Sequence, residues 1–357
     1  MADYRILYAD TATGTLLGEL PVSSFSFSEG LNGAGSFSAS MPLVTSTEAT
    51  LSLSVGRPEL TAANFQPDGR TQIFVERDGS LVWGGMLWGF TADMGKQTAK
   101  ISATGFLGYF MRRLIVADAT YAATEQTAIA WGLINTAQAA SSIGVVDGST
   151  ATGTVRDRAY EGVYATPVGE ALQNLTRLNG GFDMRIRSYW SGGSIVKSFE
   201  TSFPQSGRTT AIVLDLASNL SKLSLTEKGT EVNTLAYASG QPGVALQSTA
   251  NATLELSVPR LEAIEAHTSV SETAALLAHS ARLSQRGSTA VRTMRAEVAP
   301  GYAPGVGGFV TGDVVAVRAV VGWLDVSGNY RVSGYSVGVD DAGTEKVQLD
   351  LATSGAF

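Results

Sequence analysis

The sequence predicts a mostly β, α+β protein in three parts. A small β-barrel domain over residues 1–108 and a second one, with an inserted helix, over 227–357 flank a middle α/β domain over 109–226. Three observations predict this. Short apolar runs alternate at period two between turn signals at both ends of the chain. From Thr124 the apolar spacing changes to that of a helix. At 357 residues the chain is also longer than one typical core, so two or three domains are expected.

The N-terminal part opens with a strand in ADYRILYAD. Phe25 and Phe27, then Phe37 and Ala39, alternate with serines as half-buried strands do. The run from Gly30 to Gly35 supplies the flexible turn between them. QIFVERDGSLVWGGMLWG is the clearest hairpin, with Asp78-Gly79 as a type I′ turn and Ile73, Val75, Leu81 and Trp83 on its strands. TAKISATGF closes this part as a further strand, and such a set of short antiparallel strands suggests a small barrel or sandwich.

In the middle part, Thr124-Glu125 marks a helix start, with Ile129, Ala130, Leu133, Ile134 and Ala137 on one face and Trp131 off it. A short strand region follows near 152–160. The stretch from Thr166 to Glu200 then reads as one α-to-β unit. Thr166 is the expected cap and Pro167 the first helical residue, where a missing N–H costs nothing. Val168, Ala171, Leu172, Leu175 and Leu178 form the apolar stripe, and Gly180 the left-handed end. FDMRIRSYW and SIVKSFE follow as a hairpin turning at Ser191-Gly192-Gly193.

The C-terminal part has one helix. Ser269-Val270-Ser271-Glu272 is its capping-box candidate, and Ala274, Leu277, Ala278 and Ala281 its continuation to Gly287. GDVVAVRAVV, NYRVSGYSVGV and EKVQLDL are the last strands, with turns near Ser327-Gly328-Asn329 and Asp341-Ala342-Gly343. In the final one, Val347, Leu349 and Leu351 alternate with Gln348 and Asp350.

Composition narrows function. The absence of cysteine excludes disulfides, zinc-thiolate sites and thiol nucleophiles. A net charge of −7 gives no nucleic-acid footprint, and Arg282, Arg286, Arg292 and Arg295 read as a solvated helix end and strand. The N-terminus lacks the apolar core of a signal peptide and no run approaches a membrane span, so a protein folded in the cytoplasm, without membrane insertion, is expected. Charged residues make up only 16%, which fits either surface hidden in permanent subunit contacts or Ser/Thr in place of charge.

Reactive constellations are sparse. His267 and His279 stand twelve positions apart, not at metal-ligand spacing on one face. Glu161, Asp183, Asp313 and Asp325 are the carboxylates from which a glycosidase pair would be drawn, but most sit at strand ends or turns, where Asp accepts backbone hydrogen bonds. Asp340-Asp341 lacks a calcium-loop ladder. The loop from Gly301 to Gly308 lacks a Lys-Ser/Thr and precedes a strand, so it reads as a mobile connection and not a phosphate loop. No catalytic, cofactor or metal residue is assigned, and the chain is not expected to be an enzyme.

The order of elements resembles the baseplate hub, or tail-associated minor tail protein, of long-tailed bacteriophages. LNGAGSFSASMPL looks like that family's early strand pair, and TQIFVERDGSLVWGGMLWG like the hairpin after it. VGEALQNLTRLNGGFDMRI is similar to the helix-to-strand unit of the middle domain. TGDVVAVRA and NYRVSGYSVGVDDAGTEKVQLDL resemble the end of the second barrel. The resemblance implies a homotrimer whose paired barrels ring a channel, seated at the virion tail tip after assembly in the host cytoplasm. It implies distal tail, tape measure and tip or fibre proteins as neighbours, passage of DNA without specific binding, no cofactor, and receptor-binding or wall-degrading activity carried by other proteins. The acidic balance is compatible with a lumen that repels DNA phosphates. A carbohydrate-binding or glycan-cleaving tail protein is the alternative. Its support is five tryptophans and eleven tyrosines, although Trp83, Trp88, Trp190 and Trp323 are expected on strands, where aromatics serve a core.

Overall fold

The computed structural model describes residues 2–43, 65–178, 180–267, 270 and 272–353. The N-terminal strands are β1 (Tyr4–Asp10), β2 (Leu16–Glu19), β3 (Ser24–Gly30), β4 (Ser36–Pro42), β5 (Thr71–Arg77), β6 (Ser80–Asp93) and β7 (Thr98–Gly105). Next come α1 (Leu107–Phe110), β8 (Ala119–Glu125), α2 (Gln126–Ala140), β9 (Val145–Gly148), β10 (Val155–Tyr160), α3 (Val168–Thr176), β11 (Asp183–Ser191) and β12 (Ser194–Ser202). The remainder holds β13 (Thr209–Asp215), β14 (Leu220–Lys228), β15 (Leu235–Ser239), β16 (Gln247–Ala250), α4 (Ala252–Glu255), β17 (Glu262–Ala266) and α5 (Thr273–Arg286). It ends in β18 (Val291–Val298), β19 (Val314–Arg318), β20 (Val320–Val321), β21 (Leu324–Asp325), β22 (Gly328–Val339) and β23 (Glu345–Ala352).

The protein is mostly β, but its two ends do not form two separate closed barrels. Among the described residues they share one sheet, in the order β14-β18-β23-β22-β3-β4-β7-β6-β5-β1-β2, with β13 and β19 branching from β22. The physical reason is the length of β22. One of its edges pairs with β19 over Gly328–Arg331 and then with β3 over Gly334–Val339. Alternation predicts a strand but not its neighbours, so this junction is invisible in sequence. The same pairings carry β13 and β14, part of the sequence-defined middle segment, to β19 and β18.

Two cores follow from the period-two pattern. Phe27, Phe37, Trp83, Val315, Val337 and Leu349, drawn from both ends of the chain, lie in the first. Strands β1 and β5 bury both faces. Ile6, Tyr8, Ile73 and Val75 point into this core, while Leu7, Ala9 and Phe74 point into a second one. The second core is completed by Phe106, Ile129, Leu133, Leu172, Leu175 and Phe199 of the helical middle. Both hairpin turns have the left-handed pairs that type I′ geometry demands: Asp78 and Gly79 at φ 48° and 78°, Gly192 and Gly193 at 56° and 82°.

Helix starts differ in detail from expectation. Glu125, not Thr124, caps α2, accepting from the Thr127 and Ala128 amides. Burial works to raise its pKa, but hydrogen bonds from Thr127 and Thr152 win and hold it at about 2. Pro167 is the N-cap of α3 and Thr166 makes no cap; its carbonyl instead accepts from the Ile115 amide. Gly180 is left-handed as expected, but the helix ends earlier, at Thr176. The capping residues Ser269 and Ser271 expected for α5 lie outside the described residues. That helix packs on β15 and β16 through Leu276, Ser280 and Ser284, with Ser280 bonded to Thr249 at 2.8 Å. The expected stripe of Ala274, Leu277, Ala278 and Ala281 faces outward. Alanines bury too little area to choose the docking face, whereas Leu276 becomes fully buried.

The α3 stripe yields a direct test. Leu172 and Leu175 are 0% and 1% exposed, so Leu172→Ala or Leu175→Ala should each cost roughly 2–5 kcal/mol of unfolding free energy in urea titrations.

Candidate functional site

Three distant parts of the chain converge on Asp183. Strand β11 begins there because Gly180 and Gly181 turn the chain after α3, which leaves the carboxylate 7% exposed between the helical middle and the large sheet. Its oxygens accept from Asn32 Nδ2 at 3.0 Å, from the Ser206 amide at 2.6 Å, and from Arg331 Nη2. Arg331, on β22, also donates to the carbonyls of Gly312 at 3.2 Å and Ser206 at 3.3 Å. Asn32 occupies the left-handed region at φ 57°, which Asn tolerates better than most residues. From there its Oδ1 accepts from the Met184 amide at 2.7 Å, and its carbonyl from Gln173 Nε2 at 3.2 Å.

Asp313 completes the junction. At 3% exposed, it accepts from the amides of Arg208 at 2.9 Å and Val310 at 3.0 Å. Between the two carboxylates, Gly207 and Gly312 pass so closely that a Cβ on Gly207 would lie 2.1 Å from the Gly312 carbonyl carbon. Both are also left-handed, so only glycine fits.

This arrangement binds chain to chain and leaves no reactive group. Asp183 has its lone pairs committed to a guanidinium, an amide side chain and a backbone N–H, so it cannot act as base or nucleophile without dismantling the junction. The other sequence-derived carboxylates do not join it. Glu161 is exposed before a short 3-10 turn, and Asp325 is exposed in β21, accepting from the Ser327 amide at 2.8 Å. Asp340 accepts from the amides of Ala342 and Thr344, a turn function. Among the described residues no group of three or more His, Asp or Glu could hold a metal.

The histidines are a correction. Although twelve positions apart, their rings stack at a centroid distance of 3.7 Å. His267 leaves β17 with its amide bonded to the Ser239 carbonyl, which lays the ring against α5 at His279. Burial, then His267 and Arg158, push His279 down to about 4, with Arg156 adding to them and Glu265 opposing. Of the arginine group, Arg286, Arg292 and Arg295 pair with Glu265, Glu227 and Asp350 at 3.0–3.3 Å as solvated residues do, whereas Arg282 is half-buried. The glycine-rich loop is not loose along its length, since Val306 and the following Phe309 are buried in the first core.

Solved structures with this fold include phage tail proteins. The chain is similar to the 43 kDa tail protein of prophage MuSo2 from Shewanella oneidensis, at a TM-score of 0.66 and 14% identity over 99% of both chains. The tail protein from Neisseria meningitidis MC58 gives 0.61 at 13% identity, over 99% of this chain and 97% of that one. A prophage tail protein from Listeria monocytogenes EGD-e gives 0.57 at 11%, over 97% and 94%. The fold is that of phage tail proteins. No family model and no curated protein sequence matches the chain.

Within this tail-protein fold, most tryptophans serve the interior. Trp83 is buried and donates to the Ser28 carbonyl at 3.2 Å. Trp88 and Trp190 donate to Thr104 Oγ1 and Glu76 Oε2, each at 2.8 Å. Trp131 is half-buried against the second core. Trp323 breaks the pattern: it is no core strand residue but lies in the turn between β20 and β21, 93% exposed. Sequence reading also missed Lys197, a buried amine on β12 that donates to Gln72 Oε1 at 2.9 Å and is lowered by burial to about 8. No signal in the sequence marked it, since the same hairpin also carries Arg185, Arg187 and Glu200.

Two outcomes test this site. Asp183→Ala leaves the Arg331 charge buried without its carboxylate and should cost about 3–5 kcal/mol in chemical denaturation. A neutral His279 in the fold, against an ordinary 6.5 when unfolded, makes stability fall as pH drops from about 6.5 toward 4, because the unfolded chain takes up the proton first. His279→Gln should flatten that slope relative to the parent in denaturant midpoints measured across this range.

Proposed function

We propose that the chain is a structural hub protein of a long-tailed phage tail tip. Three copies form a ring that joins the tail tube to the tip complex and lets DNA pass through its lumen without specific binding. Strands from both ends of the chain make the wall, and the middle domain braces it. Distal tail, tape measure and tip or fibre proteins are the expected neighbours, and the ring itself catalyses no reaction.

The observation that carries this reading is the end-to-end likeness to a phage tail protein, 99% of both chains, by a chain whose two ends are welded into one sheet. Two of the four candidate carboxylates, Asp183 and Asp313, serve the weld instead. The chain is also similar to one in the Francisella PdpA-VgrG complex, with a TM-score of 0.59 over 53% of that chain, which fits a body that works beside other proteins. Closed cyclic symmetry would hide edge strands such as β14 that otherwise invite open-ended pairing.

Native mass spectrometry and end-on electron microscopy decide the matter. A three-copy ring with an axial channel is expected. A six-copy ring would move the protein to a tube or distal-tail role, and a monomer at all concentrations would remove the hub reading.

A further inference from the structure

The hairpin formed by β20 and β21 presents an apolar tip. Trp323 is 93% exposed, beside Val320 and Val321 at 66% and 61%. Gly322, left-handed at φ 59°, makes the tight turn that holds the indole outward. The sequence therefore places its largest side chain where it covers nothing within the same copy. Exposed apolar area costs about 25 cal/mol per Å², and tryptophan is among the residues enriched at interface hot spots.

The same chain also carries an open cleft. About 610 Å³ in volume, it lies where Phe25, Ala39, Ile101, Pro300 and Val339 come together at one end of the sheet. Lys100 and Lys346 line it with Glu297 and Asp340; Lys346 is paired with Glu297 at 3.0 Å, which leaves Lys100 as the cation turned to a partner. Asp325, two residues beyond Trp323, is exposed and carries the complementary charge.

Their positions fix how the two can meet. The hairpin leads into the start of β22 at Gly328, and the cleft lies at its end, at Val339. Twelve strand residues separate them by roughly 36 Å, at about 3.3 Å per residue. A copy cannot fill its own cleft, whereas a neighbour in head-to-tail contact can, and head-to-tail contacts are those that build rings. We propose that Trp323 of one copy seats in the Phe25–Ile101–Val339 cleft of a second copy, with Asp325 meeting Lys100 at the rim. This rests on the reading that copies of the chain assemble, and it names the contact that holds them.

The absence of cysteine makes the test clean. Asp325→Cys and Lys100→Cys chains are prepared separately, mixed, and oxidised, and the products are run without reductant. The mixture should give a disulfide-linked dimer containing one of each chain, and neither variant alone should. In parallel, Trp323→Ala should weaken self-association at least about tenfold in sedimentation, as loss of an interface anchor does, while its melting temperature stays that of the parent. No cross-link in the mixture while the parent still shows a three-copy native mass would overturn this contact and leave the ring standing. Cross-links within Asp325→Cys alone would mean that hairpin meets hairpin, and would also overturn it. A parent that stays monomeric overturns both the contact and the ring.

Discussion

A buried carboxylate and a buried guanidinium, Asp183 and Arg331, govern how the rest of the molecule is joined. Either charge alone would be expensive away from water, so β11 and β22 are stable in this fold only when brought together. Such pairs add little net stability compared with apolar replacements, and their value lies in selecting one arrangement. Here the selection reaches far along the chain. Asn32 ties in the β3–β4 turn, and Ser206 and Asp313 tie in the crossing from β12 to β13. One polar junction therefore sets the first strands, the helical middle and the last strands relative to one another.

Packing then makes that arrangement rigid. Because β1 and β5 bury both faces, the two cores share a wall, and a shift in one must be felt in the other. The split edge of β22 adds continuous backbone hydrogen bonding between chain ends. A body of this kind suits the proposed role of passing position from a tube to a tip. At its junction, the carboxylates Asp183 and Asp313 are already used as fasteners.

How much of this was legible in the sequence depended on whether the signal was local. Asp78-Gly79 and Gly192-Gly193 fixed two hairpins because their turns need left-handed residues within two positions. The stripe of Val168, Ala171, Leu172 and Leu175 was legible because 3.6-residue spacing is a property of one helix. Arg331 was not. Alternation around Val332 turns it away from the first core, which reads as a solvent position, and only the distant Asp183 makes it buried. Trp323 misled for the reverse reason: aromatics near strands favour cores, yet Gly322 turns it out. The histidine stack, like the outward alanines of α5, depends on how β15, β16 and β17 receive that helix, which no spacing along one element encodes.

Native-state hydrogen exchange under increasing denaturant tests most directly whether the two ends and the middle are one body. Amides of β3, β11 and β22 should converge on a single opening reaction whose free energy equals that of global unfolding, as members of one cooperative unit do. If β11 instead opened at a distinctly lower free energy while β3 and β22 stayed protected, the Asp183–Arg331 junction would not be what unites the fold.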